Sequence, residues 1–99
     1  MKKKKNVFKE SLPPVALFYV VDKKYINSIK RNGIKKGPKP AVYLSTTMHI
    51  AEKIGEKYSD PTILVIKSEE MQKNGFSFKE NGTGVWQTEN IPSKYIMNL

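Results

Sequence analysis

Cysteine is absent and histidine occurs once, as His49. Without thiols there is no disulfide framework, no thiolate metal centre and no cysteine nucleophile, and an intracellular setting is the more natural one. A single histidine argues against a metal centre, so no metal is expected. Long apolar runs are missing too. No stretch approaches the roughly 20 residues of a membrane-spanning helix. Met1-Lys2-Lys3-Lys4-Lys5 leads into Asn6, Phe8, Lys9 and Glu10 rather than into the apolar segment of a secretion signal. A soluble, cytoplasmic protein without a membrane partner is the expectation. Repeats and low-complexity inserts are also lacking.

What remains is a chain of 99 residues, 38% hydrophobic, sized for one domain with a modest core. The net charge is +9 and the pI about 9.8, which suggests a polyanionic partner, but Lys2 to Lys5 supply four of the nine charges. That basic run is either a solvated segment or an arm that attracts nucleic acid or phosphate. Residues 1–14 are expected to form a flexible basic tail and 15–99 a single domain.

Short strands and helices alternate through the domain. Val15 to Val21 is an apolar and aromatic run, the pattern of a strand buried on both faces. Asp22 then offers a capping oxygen to a helix with Tyr25, Ile26 and Ile29 on one face, and Gly33 permits its exit. Gly37-Pro38-Lys39-Pro40 forms a stiff loop before a strand at Ala41 to Leu44. Ser45, Thr46 or Thr47 caps a second helix with Met48, Ala51, Ile54 and Tyr58 at spacings of three and four, ended by Asp60-Pro61. Thr62 to Ile66 is β-branched and leucine-rich and reads as a central strand, and Ser68 opens a short helical turn. Phe76 and Phe78 alternate with Ser77 and Lys79, and a turn at residues 81–84 predicts a hairpin with Val85 to Thr88. Tyr95 to Leu99 reads as a last strand closing against an earlier one. The fold class is therefore α+β.

The order of phrases is informative. Leu17-Phe18-Tyr19-Val20-Val21, Ile29 to Ile34, Val42-Tyr43-Leu44-Ser45, Ala51 to Gly55, Pro61 to Ile66, Met71 to Phe78 and Gly84-Val85-Trp86-Gln87-Thr88 follow one another at set gaps. In that order the chain resembles the C-terminal, NAD-binding lobe of the tRNA 2′-phosphotransferase family, over about four fifths of its length. The resemblance implies an ADP-ribosyltransferase-like fold, with two small, bent, mostly antiparallel sheets, two main helices and NAD held as co-substrate in the cleft between the sheets. It also implies an RNA or other phosphate-bearing partner. In the family, the RNA 2′-phosphate attacks the anomeric carbon of the nicotinamide ribose and expels nicotinamide, and transesterification then releases an ADP-ribose cyclic phosphate.

The same resemblance assigns the site. Tyr19, Val20 and Val21 stand where the family has His-Gly-Thr on the strand that holds the adenosine side of NAD. Val20 puts a branched side chain where a dinucleotide otherwise approaches closely. Tyr43 replaces a histidine and keeps a ring able to stack on nicotinamide. Lys39, with Lys36 as the alternative, stands for an arginine that stabilises the transferring phosphate; a lysine keeps the charge and loses the bidentate fork. Tyr43 and Lys39 are thus the catalytic candidates, and Tyr19, Val20, Val21, Tyr43, Ser45, Trp86 and Gln87 the cofactor-binding candidates. Each has a plainer reading. Tyr19 and Tyr43 are equally well core packing, Trp86 a core or cleft-wall residue, and Gln87 a solvent-facing one. His49 reads as a surface residue. The lysines at 35, 36, 39, 53 and 57 are either a solvated face or the border of a cleft for a phosphate-bearing ligand.

Roughly sixteen residues precede the first strand of the resemblance, so no RNA-binding lobe is expected before it. Three functions follow: an ADP-ribosyltransferase-like domain related to the NAD-dependent RNA 2′-phosphotransferases, with altered catalytic residues; a silent nucleotide- or RNA-binding module; or a protein-interaction domain that reuses the fold.

Overall fold

Strand pairing decides where the chain opens and where it closes. A computed structural model describes residues 7–99, so residues 1–6 of the expected tail lie outside it. The strands are β1 (Lys9–Glu10), β2 (Leu17–Asp22), β3 (Val42–Ser45), β4 (Pro61–Ile66), β5 (Lys79–Glu80) and β6 (Val85–Thr88). The helices are α1 (Ile26–Asn32), α2 (Met48–Gly55) and α3 (Ser68–Lys73). Short 3₁₀ turns precede α1 at Lys23–Tyr25 and follow β6 at Ser93–Tyr95. All pairings are antiparallel, in the order β1-β5-β6-β3-β2-β4. The α+β class expected from the sequence is observed. The two expected sheets are joined into one, and the join is a single residue pair, Phe18 with Ser45.

The apolar runs form strands for the predicted reason. Leu17, Leu44, Leu64, Ile66, Met71, Phe78 and Ile91 are almost wholly buried, in one cluster with Ile29, Ile34, Trp86, Tyr95 and Ile96. Registers Leu17 with Ile66 and Leu44 with Trp86 bring these side chains to one sheet face, while Phe18 and Val20 point to the other. On that second face α2 packs over β2, β3 and β4. A side chain at Gly55 would meet Val20 Cγ2 at 2.8 Å and Pro61 Cβ at 3.0 Å, so only glycine lets helix and strand approach this closely.

Three local expectations are corrected. Tyr25 is exposed because the Asp22 cap, whose carboxylate accepts from Lys24 N–H at 3.1 Å, starts a 3₁₀ turn there. In α2, capped by Thr47, Ala51 and Gly55 carry the buried face while Met48 and Ile54 stay exposed. β4 is an outer strand rather than a central one. Its outer edge is sealed by the C-terminal segment, since Met97 N–H donates to Val65 C=O, and the Asn98 side chain accepts from Val65 N–H and donates to Ile63 C=O. That seal accounts for its apolar composition.

Gly33 ends α1 at φ 74°, and the turn delivers Ile34 to a reciprocal backbone bridge with Ile91, both bonds 2.8 Å. A Cβ at residue 33 would fall 2.3 Å from the Ile91 carbonyl oxygen.

Candidate functional site

β2 pairs with β4 through six residues and with β3 through one. Beyond Phe18 and Ser45 the two strands splay. Among the described residues, the facing edges of Tyr19 to Val21 and of Val42 to Leu44 therefore have no strand partner across the gap. A cavity of about 180 Å³ occupies this wedge. Its lining comes from both sheet faces: Tyr19 and Val42 from the core face, Phe18, Val20, Tyr43 and Ser45 from the other. It is thus a gap between strands rather than a groove on one side of a sheet.

The far wall is basic and aromatic. Lys35, Lys36 and Lys39 reach it from the loop between α1 and β3, and Ile54, Lys57 and Tyr58 from the end of α2. A second cavity of about 600 Å³, lined by Val21, Tyr25, Ser28, Ile29 and Asn32 among others, adjoins the first. Tyr19, Lys35, Lys39 and Tyr58 line both. The waist between them is therefore bordered by two tyrosines and two lysines. Burial pushes the Tyr19 phenol above the usual tyrosine value, and Tyr58 adds to the shift. Among the described residues the one ion pair is Lys36 Nζ with Glu89 Oε1, at 2.8 Å. Lys35, Lys39 and Lys57 border the wedge with no carboxylate of the described residues in ion-pair distance, an arrangement that raises the local concentration of anions.

The sequence-predicted residues divide. Tyr19, Val20, Lys39, Tyr43 and Ser45 come together in the wedge. Tyr43 is 41% exposed and takes an edge-on contact from Phe8, ring centroids 6.4 Å apart. Val20 is packed against α2 at Gly55 as well as facing the gap. Val21 faces the larger cavity. Trp86, 6% exposed, sits in the core and donates from Nε1 to Thr46 Oγ1 at 3.2 Å. Gln87 pairs with Tyr43 across the strands but borders a separate small cavity with Pro40, Lys79 and Glu89. Of the five lysines read as a possible border, 35, 36, 39 and 57 line the wedge and Lys53 does not. His49 is exposed, and among the described residues no cluster of His, Cys, Asp and Glu suits a metal ion. No described helix is long and apolar enough to cross a membrane.

Tyr58 and Phe18 are site residues that sequence reasoning missed. Tyr58 fits the three-and-four spacing of α2 and so reads as helix core, although that helix stops at Gly55.

No family model matches the chain. Among curated proteins it is 33% identical over 89 residues to a "Probable RNA 2′-phosphotransferase" of Escherichia coli O45:K1 (strain S88 / ExPEC), covering 90% of this chain and 46% of that protein. It is 32% identical over 89 residues to the "RNA 2′-phosphotransferase" of Escherichia coli (strain K12), covering 90% and 48%. Across nine tenths of its residues the chain is thus similar to proteins named RNA 2′-phosphotransferase, and it spans about half their length.

Proposed function

We propose that the chain is an ADP-ribosyltransferase-like, NAD-binding domain of the RNA 2′-phosphotransferase family, corresponding to that family's C-terminal lobe, and that its wedge is the NAD site. The observation that carries this reading is the unpaired gap between β2 and β3, where two lysines and two tyrosines form a waist between adjoining cavities. The fit to a dinucleotide is chemical. Ammonium groups at the waist suit a pyrophosphate, rings on either side suit the bases, and unpaired strand edges offer backbone hydrogen bonds. When bound, NAD would supply an activated ribose carbon with nicotinamide as leaving group.

In this reading Lys39 holds phosphate as a point charge, Tyr43 presents its exposed ring to the nicotinamide end, and Tyr19 donates from its phenol at the waist. An RNA 2′-phosphate is the acceptor that the named relatives suggest. The test is nicotinamide release on mixing the protein with NAD and a 2′-phosphorylated oligonucleotide. Turnover that requires both supports the transferase reading.

Val20 favours a second reading, nucleotide binding without turnover, because its branched side chain stands in the gap. Saturable NAD binding with no nicotinamide released would select it.

A further inference from the structure

Lys36 lines the wedge, yet its polar groups are all engaged elsewhere. Its N–H donates to Asn90 Oδ1 at 2.9 Å, its carbonyl accepts from Lys39 N–H at 3.1 Å, and its Nζ lies 2.8 Å from Glu89 Oε1. Both side chains that hold it follow β6 directly, and the next residue, Ile91, is bridged to Ile34. The loop between α1 and β3 is therefore pinned at two points to residues 89–91. The second pinned residue opens a turn, with Gly37 at φ 59° inside it, that closes at Lys39.

We propose that Lys36 is a positioning residue: fixed by Asn90 and Glu89, it sets the turn over residues 36–39 and so holds Lys39 at the anionic end of a wedge ligand. The proposal rests on the reading of the wedge as a phosphate-binding site. It separates the lysine that the sequence favours for the phosphate from its alternative, giving Lys39 to the ligand and Lys36 to the scaffold. The exposed ion pair to Glu89 contributes little alone. The Asn90 bond matters more, because a loop N–H has no ladder partner to fall back on. Fixing the turn in advance lowers the ordering cost when the anion binds.

The test compares the wild-type chain with Asn90→Ala and Asn90→Asp in two measurements, amide exchange of the free protein by NMR and titration with ADP-ribose. In Asn90→Ala, the Lys36 and Lys39 amides should exchange about tenfold faster while those of Val42 and Leu44 hold, and ADP-ribose should bind about tenfold more weakly. Asn90→Asp keeps the acceptor oxygen and should restore most of both. Unchanged Lys39 exchange in Asn90→Ala overturns the proposal, as does acceleration that extends equally to Val42 and Leu44, which marks a general loosening. A wild-type chain that binds no ADP-ribose refutes the wedge reading instead, and the exchange rates still decide the role of Lys36.

Discussion

β2 treats its two neighbours differently. Against β4 it makes six consecutive pairs, and the far edge of β4 is sealed by Met97 and Asn98. Against β3 it makes one pair and then parts. The first side is a closed ladder over a buried cluster, and the second a gap lined by phenols and lysines. The candidate site is made by withholding a pairing, so stability and binding should reside on opposite sides of the same strand.

The largest effect expected is on the closed side of the loop that frames the wedge. Gly33→Ala places a methyl 2.3 Å from the Ile91 carbonyl and forces a left-handed φ, and should cost about 3 kcal/mol or more in urea unfolding. Gly37→Ala, with φ 59° but open space around it, should cost only about 1 kcal/mol. Equal costs would break the distinction between a glycine packed against the Ile91 backbone and one with open space beside it.

A second contrast crosses the strand itself. Leu64→Ala, in the closed ladder, should lose about 3 kcal/mol of stability. Tyr43→Ala, on the open side, should lose under about 1 kcal/mol and yet weaken NAD binding about tenfold. If Tyr43→Ala instead melts the fold with NAD affinity intact, its packing reading is the right one.

A smaller effect belongs to charge. Lys39→Gln should weaken NAD binding by about threefold to tenfold and flatten its salt dependence, whereas Lys53→Gln, outside the wedge, should leave both close to wild type. The least change concerns pH. The folded-state value of Tyr19 is raised, so its contribution to stability is complete below about pH 10 and fades as pH rises through the raised value. Tyr19→Phe should remove that part of the alkaline loss in a pH series of thermal unfolding.

Much of the closed side was legible in the sequence. The run Val15 to Val21 reads as a strand by composition, although the strand itself is Leu17–Asp22, and Thr62 to Ile66 reads as one too. Gly33 marks a helix end by local chemistry, and of Ser45, Thr46 and Thr47, each able to cap α2, the structure selects Thr47. The open side was only partly so. Five of the wedge's residues, Tyr19, Val20, Lys39, Tyr43 and Ser45, were suggested by resemblance, but that β2 and β3 meet at one pair depends on packing between distant segments, which no local pattern encodes. Lys36 and Lys39 cannot be told apart within their own loop, because Glu89 and Asn90, which commit one of them, lie far along the chain. Tyr58 was hidden by a helical spacing that outlasts its helix. Trp86, a cofactor-binding candidate by resemblance and a core or cleft-wall residue by its size, is held in the core and bonds to Thr46.

The most direct measurement is an NMR titration of the isotope-labelled chain with NAD, following the backbone amides on both sides of β2. Saturable shifts are expected at Tyr19 and Val20 together with Val42 and Tyr43, the two walls of the wedge, while Ile63 to Ile66 stay still. No shift in either wall at millimolar NAD, or shifts confined to lysines outside the wedge, would contradict the wedge reading.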